Sequence, residues 1–198
     1  LPSWWNSSWL VLATSYSGNT EETISAVEHA AKLGGSIVVI SSGGVLAGFA
    51  DFYDNVHLIS VPSGQPPRTA FGHLFSRQLG LFIGLGLLPE IINKEMLERL
   101  REVKDLFDII ADPSGNIPSL ALSLMEREIA ILGPSELKPA LVRMKNQLNE
   151  NSARFARISV VPEMNHNEIV AWGGVGNDQD ERASSQGLLI ITWDGIHD

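Results

Sequence analysis

Short apolar runs alternate with segments of helical periodicity along the first third of the chain, and this alternation is the feature that most restricts its fold. The runs WLVLAT (9–14), SIVVI (36–40) and VHLIS (56–60) have the length and hydrophobicity of buried strands. Residues 21–33 between the first two place apolar side chains at helical spacing, and a shorter helix is predicted at 45–50. This order predicts an α/β protein with a parallel sheet, whose ligands bind beyond the carboxyl ends of the strands.

The rest of the chain predicts two long helices followed by a second, smaller α/β half. The long helices are expected at 69–87 and 90–111, and the second of them carries one apolar stripe with charges opposite. Further elements are predicted as a short helix, a strand at 128–132, a helix at 136–149, a strand at 158–161 and a last strand at 188–192. We therefore predict two α/β subdomains joined by long helices: a first subdomain at 1–88, a helical connection at 89–126 and a second subdomain at 127–198.

Composition argues against several classes of function. The formal net charge is −9 and the chain has no Lys/Arg-rich run, which disfavours nucleic acid or an anionic membrane as a partner. There are no cysteines, so disulfides, thiolate metal sites and a cysteine nucleophile are excluded, and the cytoplasm is the expected compartment. The most apolar segment, from Leu79 to Ile92, is shorter than the roughly 20 residues of a membrane span and contains Pro89. Residues 1–9 contain no basic residue, so no signal peptide is expected there.

Small polar residues crowd the junction between the first predicted strand and its helix, in the sequence SYSGNT at 15–20. Hydroxyl groups and unpaired backbone N–H groups at a helix N-terminus can hold a phosphate without a lysine. The alternative is that these residues only cap the helix and form the turn, with Asn19 as N-cap and Glu22 as its capping-box partner. The pattern by itself leaves both interpretations open.

Three charged or titratable residues are candidates for chemistry elsewhere in the chain. Arg68 follows the proline-rich loop at 62–67 and precedes a helix, where it could stabilise an oxyanion or simply be a solvated surface residue. Glu150 lies between two asparagines at a predicted helix end, where amide neighbours could orient it for proton transfer. His166 lies in PEMNHNEI, where a neighbour could set its tautomer. Glu150 and His166 could equally be an ordinary helix end and an ordinary loop histidine.

Two other chemistries fit these residues less well. A metal site at Glu163, His166 and Glu168 is disfavoured, because these residues lack a pair of ligands at i and i+4 on one helix face. A serine hydrolase is disfavoured too, because SYSGN differs from the G-x-S-x-G pattern and no acid is clearly paired with the histidine.

Taken together, several motifs resemble those of a known family. In chain order they are SYSGNTEET, SSGGVLA, VPSGQPPRTAFGHL, KNQLNEN and PEMNHNEIVAW. They are similar to the successive motifs of the bifunctional phosphoglucose/phosphomannose isomerases of archaea and bacteria, which belong to the SIS (sugar isomerase) domain proteins. SYSGNT marks SIS domains in general, whereas the later motifs are specific to this branch. The resemblance extends from Leu1 to about Trp172.

This resemblance implies a fold, an activity and roles for individual residues. It implies SIS-type parallel sheets flanked by helices, a homodimer with the active site near the subunit interface, and interconversion of hexose 6-phosphates without a metal or an organic cofactor. Arg68 corresponds to the arginine that stabilises the enediolate, and Glu150 to the carboxylate that moves the proton between C1 and C2. His166 corresponds to the histidine that helps open the sugar ring, in its own subunit or across the dimer. The implied phosphate-binding residues are Ser15, Tyr16, Ser17, Gly18, Asn19 and Thr20.

The chain also departs from the family pattern. The glycine-rich segment that precedes SYSGNT in the family is absent, and so are the C-terminal helices with a functional lysine. We therefore expect an internal part of a longer protein, which could be inert without its neighbours. A second hypothesis is a non-catalytic sugar-phosphate sensor, since SIS domains also occur in regulators. A sensor would need the 15–20 loop but neither Glu150 nor His166.

Overall fold

A parallel three-stranded sheet organises the first part of the chain in the computed structural model, which describes residues 1–108, 111–173 and 185–193. Its strands are β1 (Val11–Thr14), β2 (Ile37–Ser41) and β3 (Val56–Ser60), arranged in the order β1-β2-β3. Val11 pairs with Ile37, and Ile37 pairs in turn with Val56. The predicted α/β arrangement is confirmed, and the three carboxyl ends meet at one edge of the sheet.

The central strand β2 is buried on both faces because its side chains alternate between two hydrophobic clusters. Ile37 and Val39 pack with residues of α1 (Glu21–Lys32) and α2 (Gly44–Phe52). Val38 and Ile40 pack in a second cluster with Tyr16, Val61, Ala70 and Leu74, the last of these in α3 (Phe71–Gly84). A run of five apolar or small residues is therefore fully enclosed, as expected for a central strand of a parallel sheet.

The long helices are shorter than the sequence predicts. Helix α3 ends at Gly84, and Gly86 then adopts a φ of 72°, a conformation that costs glycine little. Helix α4 spans Ile91–Leu106 rather than 90–111. Residues 109 and 110 lie outside the described residues. The apolar stripe on α4 is exposed at Leu97, Leu100 and Val103.

A second parallel sheet, in the order β5-β4-β6, organises the later part of the chain. Its elements are α5 (Asn116–Leu124), β4 (Glu128–Pro134), α6 (Lys138–Ser152), β5 (Ala156–Val161), α7 (Glu168–Gly173) and β6 (Gln186–Ile190). Ile129 and Ile131 of the central strand β4 pack with Leu141 of α6 in a buried core. The predicted strands and the long helix of this half are confirmed, whereas α7 was not predicted. Residues 174–184, between α7 and β6, lie outside the described residues.

By its internal contacts the chain divides into two units, Leu1–Glu102 and Val103–Asp198. The three regions predicted from the sequence, 1–88, 89–126 and 127–198, remain a proposal about domain boundaries. Among the described residues, no helix combines the length and the hydrophobicity that crossing a bilayer would require.

Candidate active site

The loop at 15–20 follows β1 directly, at the carboxyl edge of the first sheet. The backbone N–H of Ser15 donates to the carbonyl of Ile40, which continues the sheet pairing by one residue. The hydroxyls of Ser15 and Thr20 lie 2.8 Å apart and share a hydrogen bond. The Ser17 hydroxyl accepts from the backbone N–H of Asn19 at 3.2 Å, and Ser17 itself is exposed. The loop is thus folded back on itself with three hydroxyl groups close together along the chain.

Glycines allow this loop to approach the loop after β2 at van der Waals distance. Gly18 has a φ of 69°, and a Cβ atom on it would lie 1.8 Å from the carbonyl oxygen of Gly43. Gly44 has a φ of 71°, and a Cβ atom there would lie 2.3 Å from the carbonyl oxygen of Ser17. The backbone N–H of Leu46 donates to the carbonyl of Gly18. Both positions therefore require glycine for two reasons, the left-handed backbone and the lack of space.

The predicted cap of α1 is wrong, and the difference bears on ligand binding. Asn19 does not cap α1: its side-chain oxygen accepts from the backbone N–H of Val45, in the first turn of α2. The residue that precedes α1 is Thr20, and its side chain makes no capping hydrogen bond. Within the part of the chain that the structure describes, the N-cap residue thus leaves the first backbone N–H groups of α1 without its side-chain oxygen, where the positive end of the helix dipole favours an anion. Glu21 and Glu22 in this turn are exposed.

Tyr16 is buried, although the resemblance predicts that it binds phosphate. Its carbonyl oxygen accepts from the backbone N–H of Ser42 at 2.9 Å and from the Ser42 hydroxyl at 2.6 Å. The hydroxyl of Ser41 also donates to it, at 3.3 Å. The Tyr16 phenol oxygen accepts from the backbone N–H of Gln65 at 3.2 Å. Tyr16 thus connects the loops that follow all three strands of the sheet.

Arg68 lies in a single 3₁₀ turn, Pro67–Thr69, between the loop after β3 and helix α3. The Thr69 hydroxyl donates to the carbonyl of Pro66 at 2.8 Å and stabilises this turn. Arg68 is exposed, whereas Ala70 two residues later is fully buried. The 15–20 loop and the segment carrying Arg68 are therefore joined within the first unit through Tyr16 and Gln65.

Glu150 lies in the last turn of α6 and is exposed. The amides on either side of it each make a hydrogen bond within the second unit, and their orienting effect on the Glu150 carboxylate stays a prediction. The Asn149 side-chain oxygen accepts from the backbone N–H of Ala156 at 3.3 Å, and Asn151 donates to Gln147 at 2.6 Å. The helix ends at Ser152, and the next residue, Ala153, has a left-handed φ of 50°. Asn149 thus fixes the helix end that carries Glu150 against the first residue of β5.

His166 ends a 3₁₀ turn, Glu163–His166, that follows β5. His166 is exposed, and the turn is held by Met164, which is buried. The Asn167 side-chain oxygen accepts from the backbone N–H of Glu168 at 2.6 Å, so it is directed at α7. His166 and Glu150 both belong to the second unit, in the segment after β5 and in the helix before it.

An ion-pair network that the sequence did not predict connects β5 to α7. Arg157 and Ser159 lie on the same face of β5, and both donate hydrogen bonds to the carboxylate of Glu168. Trp172 donates to the same carboxylate at 3.2 Å, and the Arg157 guanidinium lies 5.2 Å from the Trp172 ring centre. Burial tends to raise the pKa of Glu168, but the hydrogen bonds from Ser159, Arg157 and Trp172 and the Arg157 charge outweigh it and lower the pKa. The i, i+2 spacing of Arg157 and Ser159 was visible in the sequence, but their partner helix was not.

The Glu168 carboxylate is thereby committed to Arg157 and Ser159, which removes one member of the disfavoured metal set. Within residues 1–108, 111–173 and 185–193, no three His, Asp or Glu side chains gather in a way that could hold a metal ion.

The chain is similar to one protein family and to several individual proteins. Residues 116–197 match the family described as the bacterial phospho-glucose isomerase C-terminal SIS domain. A bifunctional phosphoglucose/phosphomannose isomerase from Caldicellulosiruptor bescii is 38% identical over 175 residues, covering 86% of this chain and 51% of the relative. A D-glucosamine-6-phosphate 4-epimerase from Sulfolobus acidocaldarius is 34% identical over 173 residues, covering 85% of this chain and 53% of the relative. The chain spans about half the length of the curated relatives it matches.

Solved structures agree on the fold. A tagatose-6-phosphate ketose/aldose isomerase from Escherichia coli superposes with a TM-score of 0.61 at 17% identity, covering 89% of this chain and 48% of that chain. The parallel sheets flanked by helices and the matched region define an SIS-domain protein. Within that class, the chain is similar over most of its length to bifunctional phosphoglucose/phosphomannose isomerases, and residues 116–197 match the bacterial phospho-glucose isomerase C-terminal SIS domain. The predicted fold class and the family resemblance are confirmed.

Proposed function

We propose that the protein containing this chain is an aldose–ketose isomerase that interconverts glucose 6-phosphate, and also mannose 6-phosphate, with fructose 6-phosphate. The observation that carries this proposal is the 38% identity to the Caldicellulosiruptor bescii relative over most of the chain. The active-site assignments rest on the family resemblance, together with the local geometry inside each unit taken separately.

The 15–20 loop and the N-terminus of α1 bind the substrate phosphate. The hydroxyls of Ser15, Ser17 and Thr20 supply donors, and the first turn of α1 adds backbone N–H groups that no side chain caps. Because the phosphate does not react, its binding energy can be used to position the distant C1 and C2 atoms of the sugar. Because the Asn19 side chain bonds to the first turn of α2 and not to α1, this interpretation is favoured over a loop that only caps α1.

The chemical steps belong to Arg68, Glu150 and His166. Isomerisation through a cis-enediol needs one base that takes a proton from one carbon and returns it to its neighbour, and Glu150 has this role. Arg68 stabilises the negative charge that develops on the enediolate oxygen. His166 transfers protons during opening of the sugar ring, because an imidazole exchanges protons near neutral pH. Each step conserves atoms and needs no redox partner.

The test is a coupled assay of fructose 6-phosphate conversion by the full-length protein and by a Glu150→Gln variant. Loss of the general base should lower kcat by about 10² to 10⁴, while KM changes little. Glu98→Gln, which neutralises an exposed carboxylate on α4, is the matched control and should keep the parent rate. An inactive parent, or a Glu150→Gln variant with most of its rate, would refute the proposed mechanism.

Two alternatives predict different results from the same protein. A non-catalytic sensor would bind glucose 6-phosphate in a calorimetric titration without turning it over. An epimerase, which the Sulfolobus acidocaldarius relative is named to be, would convert D-glucosamine 6-phosphate and leave fructose 6-phosphate unchanged. Product analysis of both substrates by NMR separates these outcomes from isomerisation.

We further propose that the protein acts in the cytoplasm as a homodimer, with the active site near the subunit interface, as the family resemblance implies. The exposed apolar residues Leu97 and Leu100 of α4 offer a surface for such an interface. Light scattering of the full-length protein, with Leu97→Asp as a variant, tests the dimer. A monomeric parent would contradict it.

A further inference from the structure

We propose that Tyr16 is a positioning residue, which ties the segment carrying Arg68 to the phosphate-binding loop, rather than a ligand of the phosphate. The inference revises the role that the family resemblance implies for this residue. It rests on the proposed function for its catalytic consequence, but the structural connection can be tested without any activity.

Burial and hydrogen bonding direct the Tyr16 side chain into the protein. Tyr16 is 8% exposed and belongs to the buried cluster that contains Val38, Ile40, Val61 and Ala70. Its phenol oxygen accepts a hydrogen bond from the backbone N–H of Gln65 at 3.2 Å. Movement of this side chain toward a ligand at the loop surface would take the ring out of the buried cluster, and burial of an aromatic ring opposes such a movement.

Tyr16 holds the Arg68 segment at points on either side of the arginine. Gln65 lies three residues before Arg68 and donates its backbone N–H to the phenol oxygen. Ala70 lies two residues after Arg68, is fully buried, and belongs to the same cluster as the Tyr16 ring. Between these anchors, Pro66 and Pro67 restrict the backbone. The position of the Arg68 backbone therefore depends on where Tyr16 lies.

The backbone carbonyl of Tyr16 is held as well, by the loop that follows β2. Its carbonyl oxygen accepts hydrogen bonds from both the backbone N–H and the hydroxyl of Ser42, and from the hydroxyl of the fully buried Ser41. Ser15 and Ser17, its neighbours in sequence, belong to the proposed phosphate site. A single residue thus sets the spacing between the group that binds the unreactive end of the substrate and the arginine that acts at the reacting end.

The first experiment removes the phenol oxygen with Tyr16→Phe and measures hydrogen exchange in the full-length protein without substrate. The amides of Ser63, Gly64, Gln65 and Arg68, the four residues of segment 62–68 that are not proline, should exchange faster by about 3- to 10-fold, the factor expected for loss of one neutral hydrogen bond. Exchange in β1, β2 and β3 should stay the same, because the ring still fills the core. Tyr53→Phe is the matched control, since the chain has two tyrosines and Tyr53 packs against Phe49 away from these loops. Unchanged exchange at 62–68 would overturn the proposal.

The second experiment is a double-mutant cycle on isomerisation. Tyr16→Phe should lower kcat by about 3- to 10-fold and leave KM within about twofold, because the phosphate contacts remain. In an Arg68→Ala background the same substitution should have no further effect on kcat, since its effect passes through Arg68. If the effects of Tyr16→Phe and Arg68→Ala on kcat were additive, or if only KM changed, Tyr16 would not act through Arg68 and the proposal would be overturned. An inactive parent would refute the proposed function instead, and the exchange measurement would still decide the role of Tyr16.

Discussion

Substitution of Gly18 by alanine should damage both stability and phosphate binding, because the loops after β1 and β2 touch at this residue. Two costs contribute, and they can be estimated separately. A left-handed φ of 69° costs an alanine about 1 to 2 kcal/mol, partly offset by about 0.4 to 1 kcal/mol from the less flexible unfolded chain. The new Cβ would also lie 1.8 Å from the Gly43 carbonyl oxygen and 2.8 Å from the Ser41 hydroxyl, so the loops must separate. Overpacking of this kind costs about 1 to 3 kcal/mol. The free energy of unfolding should therefore fall by about 1 to 5 kcal/mol.

Gly34→Ala is the matched control for this substitution. Gly34 has a similar φ of 78° but nothing within 4 Å of a Cβ atom, so it isolates the backbone cost from the steric cost. Urea denaturation should give a loss of about 0.5 to 1 kcal/mol for Gly34→Ala, and a clearly larger loss for Gly18→Ala. Calorimetric titration with glucose 6-phosphate should show weaker binding, by tenfold or more, for Gly18→Ala alone. Equal destabilisation by the two variants would refute the argument that the loops are in contact at Gly18.

Two further substitutions test other contacts. Asn19→Ala should lower the free energy of unfolding by about 1 kcal/mol through loss of the α2 cap, measured by urea denaturation, whereas a cap on α1 would predict loss of helix α1 protection in hydrogen exchange instead. Glu168→Gln should destabilise the protein at neutral pH by up to about 1 kcal/mol, and Glu163→Gln, on an exposed neighbour, should not. Because the folded pKa of Glu168 lies below the usual value of 4.5, its stabilisation is complete above that pH and is lost as the pH falls through the folded pKa. The stability difference between parent and Glu168→Gln should therefore shrink on acidification, and a difference that grows would contradict the network.

The sheet was predictable from the sequence because its signals are local. Each strand of the first unit is a short apolar run, and each intervening helix shows its own periodicity, so neither required knowledge of distant partners. The ends of the elements were less predictable, as α3 and α4 show, because capping and fraying depend on neighbours. Helix α7 was missed because its six residues are too few for a periodic signal. Its first residue, Glu168, is also held by Arg157 of strand β5, a contact that the sequence does not reveal.

The positions of the candidate residues were predictable, but their contacts were not. The motifs identify Arg68, Glu150 and His166 by their place in the sequence, and their catalytic roles stay predictions. Sequence spacing also favoured a local cap between Asn19 and α1, because a cap three residues from a glutamate is a common pattern. The structure uses Asn19 over a distance of 26 residues instead, for the first turn of α2. A contact between loops that follow different strands produces no pattern in the residue spacing of either loop, so the sequence did not predict it.

The residues of the SYSGNT loop therefore divide into two groups according to the contacts that they make. Asn19, Gly18 and Tyr16 are directed at the neighbouring loops: Asn19 caps α2, Gly18 admits the Gly43 carbonyl, and Tyr16 reaches Gln65. The hydroxyls of Ser15, which is buried, and Thr20 share a hydrogen bond, the exposed Ser17 hydroxyl accepts from the backbone N–H of Asn19, and Thr20 immediately precedes α1. On the proposed function, members of this one short loop serve both the fold and the phosphate, so phosphate binding and the placement of the Arg68 segment would depend on the same backbone. Substitutions of Asn19 or Tyr16 should thus alter catalysis without removing a proposed phosphate ligand, whereas substitutions of Ser15, Ser17 or Thr20 should weaken phosphate binding while the three loops stay joined.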